Sequence, residues 1–126
     1  MIFGIGTDIL RTDRVEKTYA QFGERFAKRV LMPSELEGFY KTKHRVRFLG
    51  MRFAAKEAIV KAMGTGFAHG VWVRDVGVAP NPLGRPDVIF SERGQKKCSE
   101  LGVGEGYLTL SDEGGFIIAN AILLRA

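Results

Sequence analysis

Apolar and polar residues follow different patterns in the two halves of the chain. Residues 1–10 are mostly apolar and predict a strand. Three short helical patterns follow, over residues 14–22, 25–31 and 33–40. The longest helical pattern spans 47–63 and ends at Gly64, a residue type that favours the position directly after a helix.

Strand patterns dominate after Gly64. Alternating and β-branched residues predict strands over residues 71–78, 87–90, 107–111 and 116–124. Ser91 is a helix-capping residue type and begins a helical pattern that ends near Leu101. A first strand, a helical block and then hairpins with one inserted helix predict an α+β fold. We expect a single domain over residues 1–126, with a long helix and shorter helices packed on a mainly antiparallel sheet.

The positive charge of the chain lies in its first half. The net charge is +5, and residues 1–63 carry 13 basic and 7 acidic side chains, against 6 and 7 in residues 64–126. This surplus predicts an anionic partner, which leaves nucleic acid, an anionic membrane, a phosphate-bearing small molecule and an acidic protein open.

Cysteine content and hydropathy bear on the compartment. Cys98 is the only cysteine, so the chain can form neither an internal disulfide nor a cysteine-based zinc site. The longest nearly apolar run, 116–124, is too short for a membrane-spanning helix, and no signal peptide is visible. We therefore expect a cytoplasmic protein without a membrane partner.

The charged residues of the long helix fall into two stripes. At 100° per residue, Glu57 and Lys61 lie together beside small residues, while Arg52 and Lys56 lie on a separate stripe. The second stripe predicts that Arg52 and Lys56 face solvent or an anion. Glu57 and Lys61 are consistent with a pocket wall, but also with an ordinary i,i+4 ion pair on a helix surface.

A second carboxylate that reaches Glu57 would favour the pocket. Asp8 ends the first strand beside two glycines, although an aspartate there also suits a plain turn. Two carboxylates suit Mg²⁺, which keeps waters and substrate phosphates as its other ligands. Lys61 and the turn Gly64-Thr65-Gly66 could then supply an ammonium and backbone N–H groups to phosphates, although the same glycines also fit a simple helix stop.

Several segments together resemble a known family. GIGTDI near the start and RFAAKEAIVKAMGTG in the long helix resemble the holo-acyl-carrier-protein synthases, the small single-domain class of 4′-phosphopantetheinyl transferases. The resemblance continues through RFAKRVLMPSELEGFY, LGRP and LTLSDEGGFIIANAIL, nearly the whole chain. It implies transfer of 4′-phosphopantetheine from coenzyme A to a serine of apo acyl carrier protein, which belongs to fatty acid biosynthesis. Adenosine 3′,5′-bisphosphate would be released.

The resemblance also implies roles for single residues. Asp8 and Glu57 match the Mg²⁺ ligands of the family, and Lys61 matches a lysine that contacts the phosphates. The turn Gly84-Arg85-Pro86 matches a Gly-Lys-Pro turn near the nucleotide, and we expect Arg52 to contact the cofactor as well. The proton acceptor is left open between Glu57 and a metal-held water. The family is typically a homotrimer with active sites between subunits.

Two further points concern the partner and a departure from the family. Arg14, Arg25 and Arg29 match the family's docking region for the acidic carrier, and Phe53 would add an apolar contact beside them. Many members have histidine at the position of Asp112, so no role is assigned to this residue.

Two other functions are compatible with parts of the sequence. A small basic nucleic-acid-binding module would explain the isoelectric point near 9.6, but not the paired Asp8 and Glu57. The nine phenylalanines are scattered, without the aromatic run of an RNA-recognition motif. An inactive assembly subunit would not need Asp8, Glu57 and Lys61 together. The sequence therefore favours the transferase, acting without nucleic acid.

Overall fold

The computed structural model describes all 126 residues. The elements, in chain order, are β1 (Ile2–Arg11), α1 (Thr12–Phe22), α2 (Glu24–Val30), α3 (Pro33–Lys41), α4 (Arg45–Met63), β2 (Val76–Pro80), β3 (Pro86–Phe90), α5 (Glu92–Leu101), β4 (Val103–Glu113) and β5 (Phe116–Arg125). A single turn of 3-10 helix, Val73–Asp75, precedes β2. None of the helices has the length and apolar character needed to cross a membrane.

The five strands form one antiparallel sheet in the order β1-β5-β4-β3-β2. β1 and β2 are therefore the edge strands. The helix α4 packs against one face of this sheet, and α1, α2 and α3 pack against the N-terminal half of α4. This arrangement confirms the predicted α+β fold with a mainly antiparallel sheet and a long helix.

Two buried clusters meet along α4. One lies between the C-terminal half of α4 and the sheet, and includes Ile59, Ile117 and Leu123. The other lies among the first three helices and the start of α4, and includes Phe39 and Leu49. Because α4 is covered from both sides, it is apolar around most of its circumference.

Two glycines let α4 approach β1 closely. A Cβ atom at Gly6 would overlap the carbonyl oxygen of Ala58, and one at Gly4 would overlap the carbonyl oxygen of Ala62. Side chains of any size would hold the helix away from the strand. The glycines of GIGTDI thus bring the α4 backbone onto β1, next to Asp8.

The segment predicted as a strand over 71–78 is only partly extended. It begins with the 3-10 helix and becomes a strand at Val76. The carboxylate of Asp75 accepts hydrogen bonds from the backbone N–H of Trp72 at 2.8 Å and from the hydroxyl of Ser91 at 2.7 Å. This side-chain bond to the local backbone closes a turn where the alternation alone indicated a strand.

The stripe of Arg52 and Lys56 faces an anion rather than solvent, and this anion is Glu35 of α3. Lys56 is fully buried, with Nζ 2.6 Å from Glu35 Oε1, and it also donates to the carbonyl of Val76. Glu35 further accepts from the backbone N–H groups of Met32 and Val78. The network ties α3, α4 and β2 together.

Candidate active site

Asp8, Glu57 and Lys61 come together beside the edge strand β1. Asp8 points to the side of the sheet that α4 covers, and Glu57 and Lys61 occupy successive turns of α4. Lys61 Nζ lies 3.2 Å from Asp8 Oδ1 and donates to the carbonyl of Thr7 at 3.0 Å. The Lys61 side chain is 49% exposed and that of Asp8 is 14% exposed, so the cluster opens to solvent on the lysine side.

The two carboxylates repel each other. Partial burial raises the pKa of Glu57 above its ordinary value, the charge of Asp8 raises it further, and Lys61 opposes both effects. A divalent cation between the carboxylates would relieve this repulsion. No group of three or more His, Cys, Asp or Glu side chains is placed to hold a metal. The protein thus offers two hard oxygen ligands, a set that suits Mg²⁺ with water and phosphate as its remaining ligands.

The turn Gly64-Thr65-Gly66 closes the end of α4. The N–H of Gly64 donates to the carbonyl of Lys61, and the N–H groups of Thr65 and Gly66 both donate to the carbonyl of Val60. Gly64 and Gly66 have positive φ angles of 82° and 58°. These bonds fit the simple helix stop, and the contact of this turn with phosphates remains a prediction.

The turn Gly84-Arg85-Pro86 lies on the other side of the sheet from the carboxylates. Arg85 and Pro86 line a hollow of about 200 Å³ together with Tyr107, Thr109 and Asn120, whose side chains point away from α4. Asp8 points toward α4. A single chain therefore does not bring this turn together with Asp8, Glu57 and Lys61.

Arg52 also lies apart from the carboxylate pair. Its guanidinium lies over the ring of Phe48 at 4.4 Å, and Nε is 3.3 Å from Glu35 Oε2 without hydrogen-bond geometry. Burial lowers the pKa of Arg52, and the charge of Glu35 opposes this effect. Nothing in the sequence around Glu35 distinguishes it from a surface glutamate. The structure gives Arg52 a protein carboxylate as its partner, and its contact with a cofactor remains a prediction.

Three of the four predicted docking residues line two neighbouring hollows. Arg25 and Arg29 of α2 border a hollow of about 230 Å³ with Thr18 of α1, and Arg14 lies one turn before Thr18. Phe53 borders a second hollow that also includes Arg29. The structure therefore brings these residues onto one side of the molecule, at the corner between α1 and α2.

Asp112 forms an ion pair with Arg47. Its Oδ2 lies 2.6 Å from Nε of Arg47, in the first turn of α4. The pair joins the end of β4 to the start of the long helix. It gives Asp112 a structural partner, and no catalytic role follows from it.

Comparison with known proteins gives one consistent family. The model of the 4′-phosphopantetheinyl transferase superfamily matches residues 4–120. A holo-[acyl-carrier-protein] synthase from Vibrio cholerae is 47% identical over 125 residues, 99% of each chain. The crystal structure of the Neisseria meningitidis holo-[acyl-carrier-protein] synthase superposes with a TM-score of 0.94 at 38% identity, covering 99% of this chain and 100% of that one.

A third relative is a complex. The holo-(acyl-carrier-protein) synthase of Bacillus anthracis, solved with coenzyme A (3′,5′-ADP), has a TM-score of 0.81 at 31% identity and covers 100% of this chain and 99% of its own. Sequence and fold agree with these relatives over almost the full length. The chain belongs to the 4′-phosphopantetheinyl transferase superfamily.

Proposed function

We propose that the chain transfers the 4′-phosphopantetheine group of coenzyme A to a serine of apo acyl carrier protein. Adenosine 3′,5′-bisphosphate is the other product. The observation that carries this proposal is the convergence of Asp8, Glu57 and Lys61 from β1 and α4 in a chain of this family. Relatives of the same fold are holo-acyl-carrier-protein synthases, and one was solved with coenzyme A.

The reaction needs charge stabilisation more than a protein nucleophile. The serine oxygen of the carrier attacks the phosphorus that bears the pantetheine arm, and the bond from this phosphorus to the bridging oxygen breaks. The serine proton would pass to Glu57 or to a metal-held water. Asp8 and Glu57 would hold Mg²⁺, which would neutralise charge on the pyrophosphate. Lys61 lies where its ammonium can stabilise the negative charge on the departing bisphosphate.

We further propose a homotrimer with active sites between subunits. The carboxylates and the Gly84-Arg85-Pro86 turn lie on opposite sides of the sheet, so only two copies can place both against one coenzyme A. The sheet face away from α4 carries exposed apolar side chains, including Ile5, Ile9 and Ile118, and such a patch marks an interface. The number of three copies follows from the family resemblance.

The trimer has its own test. An Ile118→Glu substitution places a charge in the middle of the open sheet face, and light scattering after size exclusion should then show monomers that lack transferase activity. A trimer that survives Ile118→Glu would contradict this interface.

The 126 residues act as one transferase domain in this proposal, because α4 contributes to both buried clusters. The single buried Cys98 and a coenzyme A substrate fit a reducing, cytoplasmic compartment.

Incubation with coenzyme A, Mg²⁺ and an apo carrier tests the central proposal. Mass spectrometry should show the carrier heavier by one phosphopantetheine arm. Asp8→Ala and Glu57→Ala variants should keep the circular dichroism spectrum of the wild type and lose this transfer. A wild type that leaves the carrier unmodified would refute the proposed activity, and a fully active Glu57→Ala enzyme would refute the site.

A further inference from the structure

A continuous hollow surrounds the side chain of Trp72, and we call it the Trp72 groove. Its cationic part, about 460 Å³, is lined by Lys28, Arg29, Trp72, Arg74 and Arg93, among others. Its apolar part, about 580 Å³, includes Phe53 and Phe67. Arg29 and Trp72 line both parts, which makes them one surface.

The groove carries positive charge that the chain itself does not neutralise. Asp75 is the carboxylate in its lining, and it already accepts from the Trp72 backbone N–H at 2.8 Å and from Arg93 at 3.1 Å. Neither Arg29 nor Arg74 takes part in an ion pair. Lys28 pairs with Glu24 at 3.9 Å and Arg93 pairs with Asp75, so Arg29 and Arg74 are the two cations of the groove without a carboxylate partner.

The indole ring of Trp72 is the apolar feature of this cationic surface. It is 66% exposed, and the guanidinium of Arg93 lies 5.3 Å from the ring centre. Arg93 also donates to Asp75 and to the carbonyl of Gly70, so the ring rests on an anchored neighbour. An exposed, held aromatic ring beside an apolar hollow is typical of a protein interface.

The groove connects the docking corner with the candidate active site. Arg29 lines the hollow at the corner between α1 and α2 as well as both parts of the groove. Phe53 lies one helical turn before Glu57, on the same side of α4. A protein that rests on Arg25 and Arg29 and brings a serine toward Glu57 would therefore pass over the groove.

We propose that the Trp72 groove is a second contact surface for the acyl carrier protein, beyond the corner at Arg14, Arg25 and Arg29. The occupant is an acidic segment of the carrier that pairs with Arg74 and places an apolar side chain against Trp72. This inference rests on the proposed function. Charge complementarity and continuity with the predicted docking corner both favour an acidic protein substrate.

Fluorescence gives a direct test, since Trp72 is the only tryptophan of the chain. The titrant is a tryptophan-free apo carrier whose acceptor serine is replaced by alanine, so that no turnover occurs. Trp72 emission should shift to shorter wavelength, saturate with the carrier, and respond less as salt is raised. Unchanged emission at carrier concentrations that saturate transfer would overturn the proposal, and so would the same shift with coenzyme A alone.

Kinetics give the second test. Arg74→Glu should raise the KM for the carrier by about fivefold to tenfold, with the KM for coenzyme A and kcat at saturating carrier unchanged. Lys43→Glu makes the same change of charge on the connection between α3 and α4, and it should change the carrier KM by less than about twofold. Equal carrier KM values in the two variants would refute the groove, provided that the wild type transfers the arm. A wild type without transfer activity would instead refute the proposed function.

Discussion

Replacing Lys61 by methionine removes an ammonium group from the carboxylate pair and keeps most of the side-chain stem. In the structure this group lies 3.2 Å from Asp8 Oδ1, on a side chain that is half exposed. An ion pair of this kind contributes about 0–1 kcal/mol to the free energy of unfolding. For a domain of this size, Lys61→Met should therefore lower the melting temperature by no more than roughly 4 °C.

The effect on catalysis should be far larger. Negative charge grows on the departing bisphosphate in the transition state, and an oriented cation beside it contributes about 3 kcal/mol. The loss of that energy slows transfer more than a hundredfold, because each 1.36 kcal/mol is about a factor of ten in rate. Lys61→Arg keeps the charge but presents a planar fork, and it should restore only part of the rate.

The assay follows carrier modification by mass spectrometry at saturating coenzyme A and carrier, with the melting temperature measured on the same samples. Lys96→Met, on the exposed face of α5, is the matched control and should change neither kcat nor melting temperature. A Lys61→Met enzyme with near-normal kcat and a slightly lowered melting temperature would show that Lys61 is only an ion-pair partner of Asp8.

Three other substitutions test the architecture and the electrostatics. Lys56→Met leaves Glu35 buried with one cation fewer, and urea denaturation should show that the free energy of unfolding falls by about 3–5 kcal/mol. A decrease below about 1 kcal/mol would contradict a coupled buried pair. The raised pKa means that the folded chain holds the Glu57 proton more tightly than the unfolded chain does. The stability that this proton binding adds is present below the ordinary pKa of glutamate and is lost as the pH rises through the raised pKa. In the absence of metal, Glu57→Gln should therefore have a higher melting temperature than the wild type at neutral pH, and Mg²⁺ should not raise it further. If Mg²⁺ raised the melting temperature equally in both proteins, this result would argue against the metal site. Gly6→Ala pushes a methyl group into the α4 backbone and should cost about 1–3 kcal/mol in the same urea assay, while unchanged stability would mean that the helix can move away freely.

The local elements were predictable because local chemistry determines them. Ser91 caps α5 as its residue type indicated, with its Oγ accepting from the N–H of Gly94 at 3.0 Å. Gly64 ends the long helix with a left-handed conformation. The partners of charged residues were less predictable, because periodicity places Lys56 on a helix face without showing what covers that face. Glu35 reaches it from α3, 21 positions earlier.

The residues of the candidate site also differ in how far the sequence predicts their positions. Glu57 and Lys61 share a helix face and Asp8 follows two glycines, so their meeting could be expected from spacing and residue type. The expectation that Asp8 ends the first strand is wrong, because β1 stays paired with β5 as far as Arg11. The position of Arg85 on the opposite side of the sheet could not be expected from the sequence, because this position depends on strand order and on which face of the sheet α4 covers.

The pairing of β1 with β5 joins two strands that lie far apart in the sequence. The hydroxyl of Thr7 donates to Asn120, 113 positions later, and β5 is the only strand that β1 pairs with in the sheet. At about 5–20 residues per second, a ribosome needs roughly 6 to 23 seconds to make this interval. A polypeptide released before β5 would carry Glu57 and Lys61 but hold Asp8 on a strand without its hydrogen-bonded neighbour. An ordered carboxylate pair therefore depends on β5, and we expect phosphopantetheine transfer only from chains that include this strand.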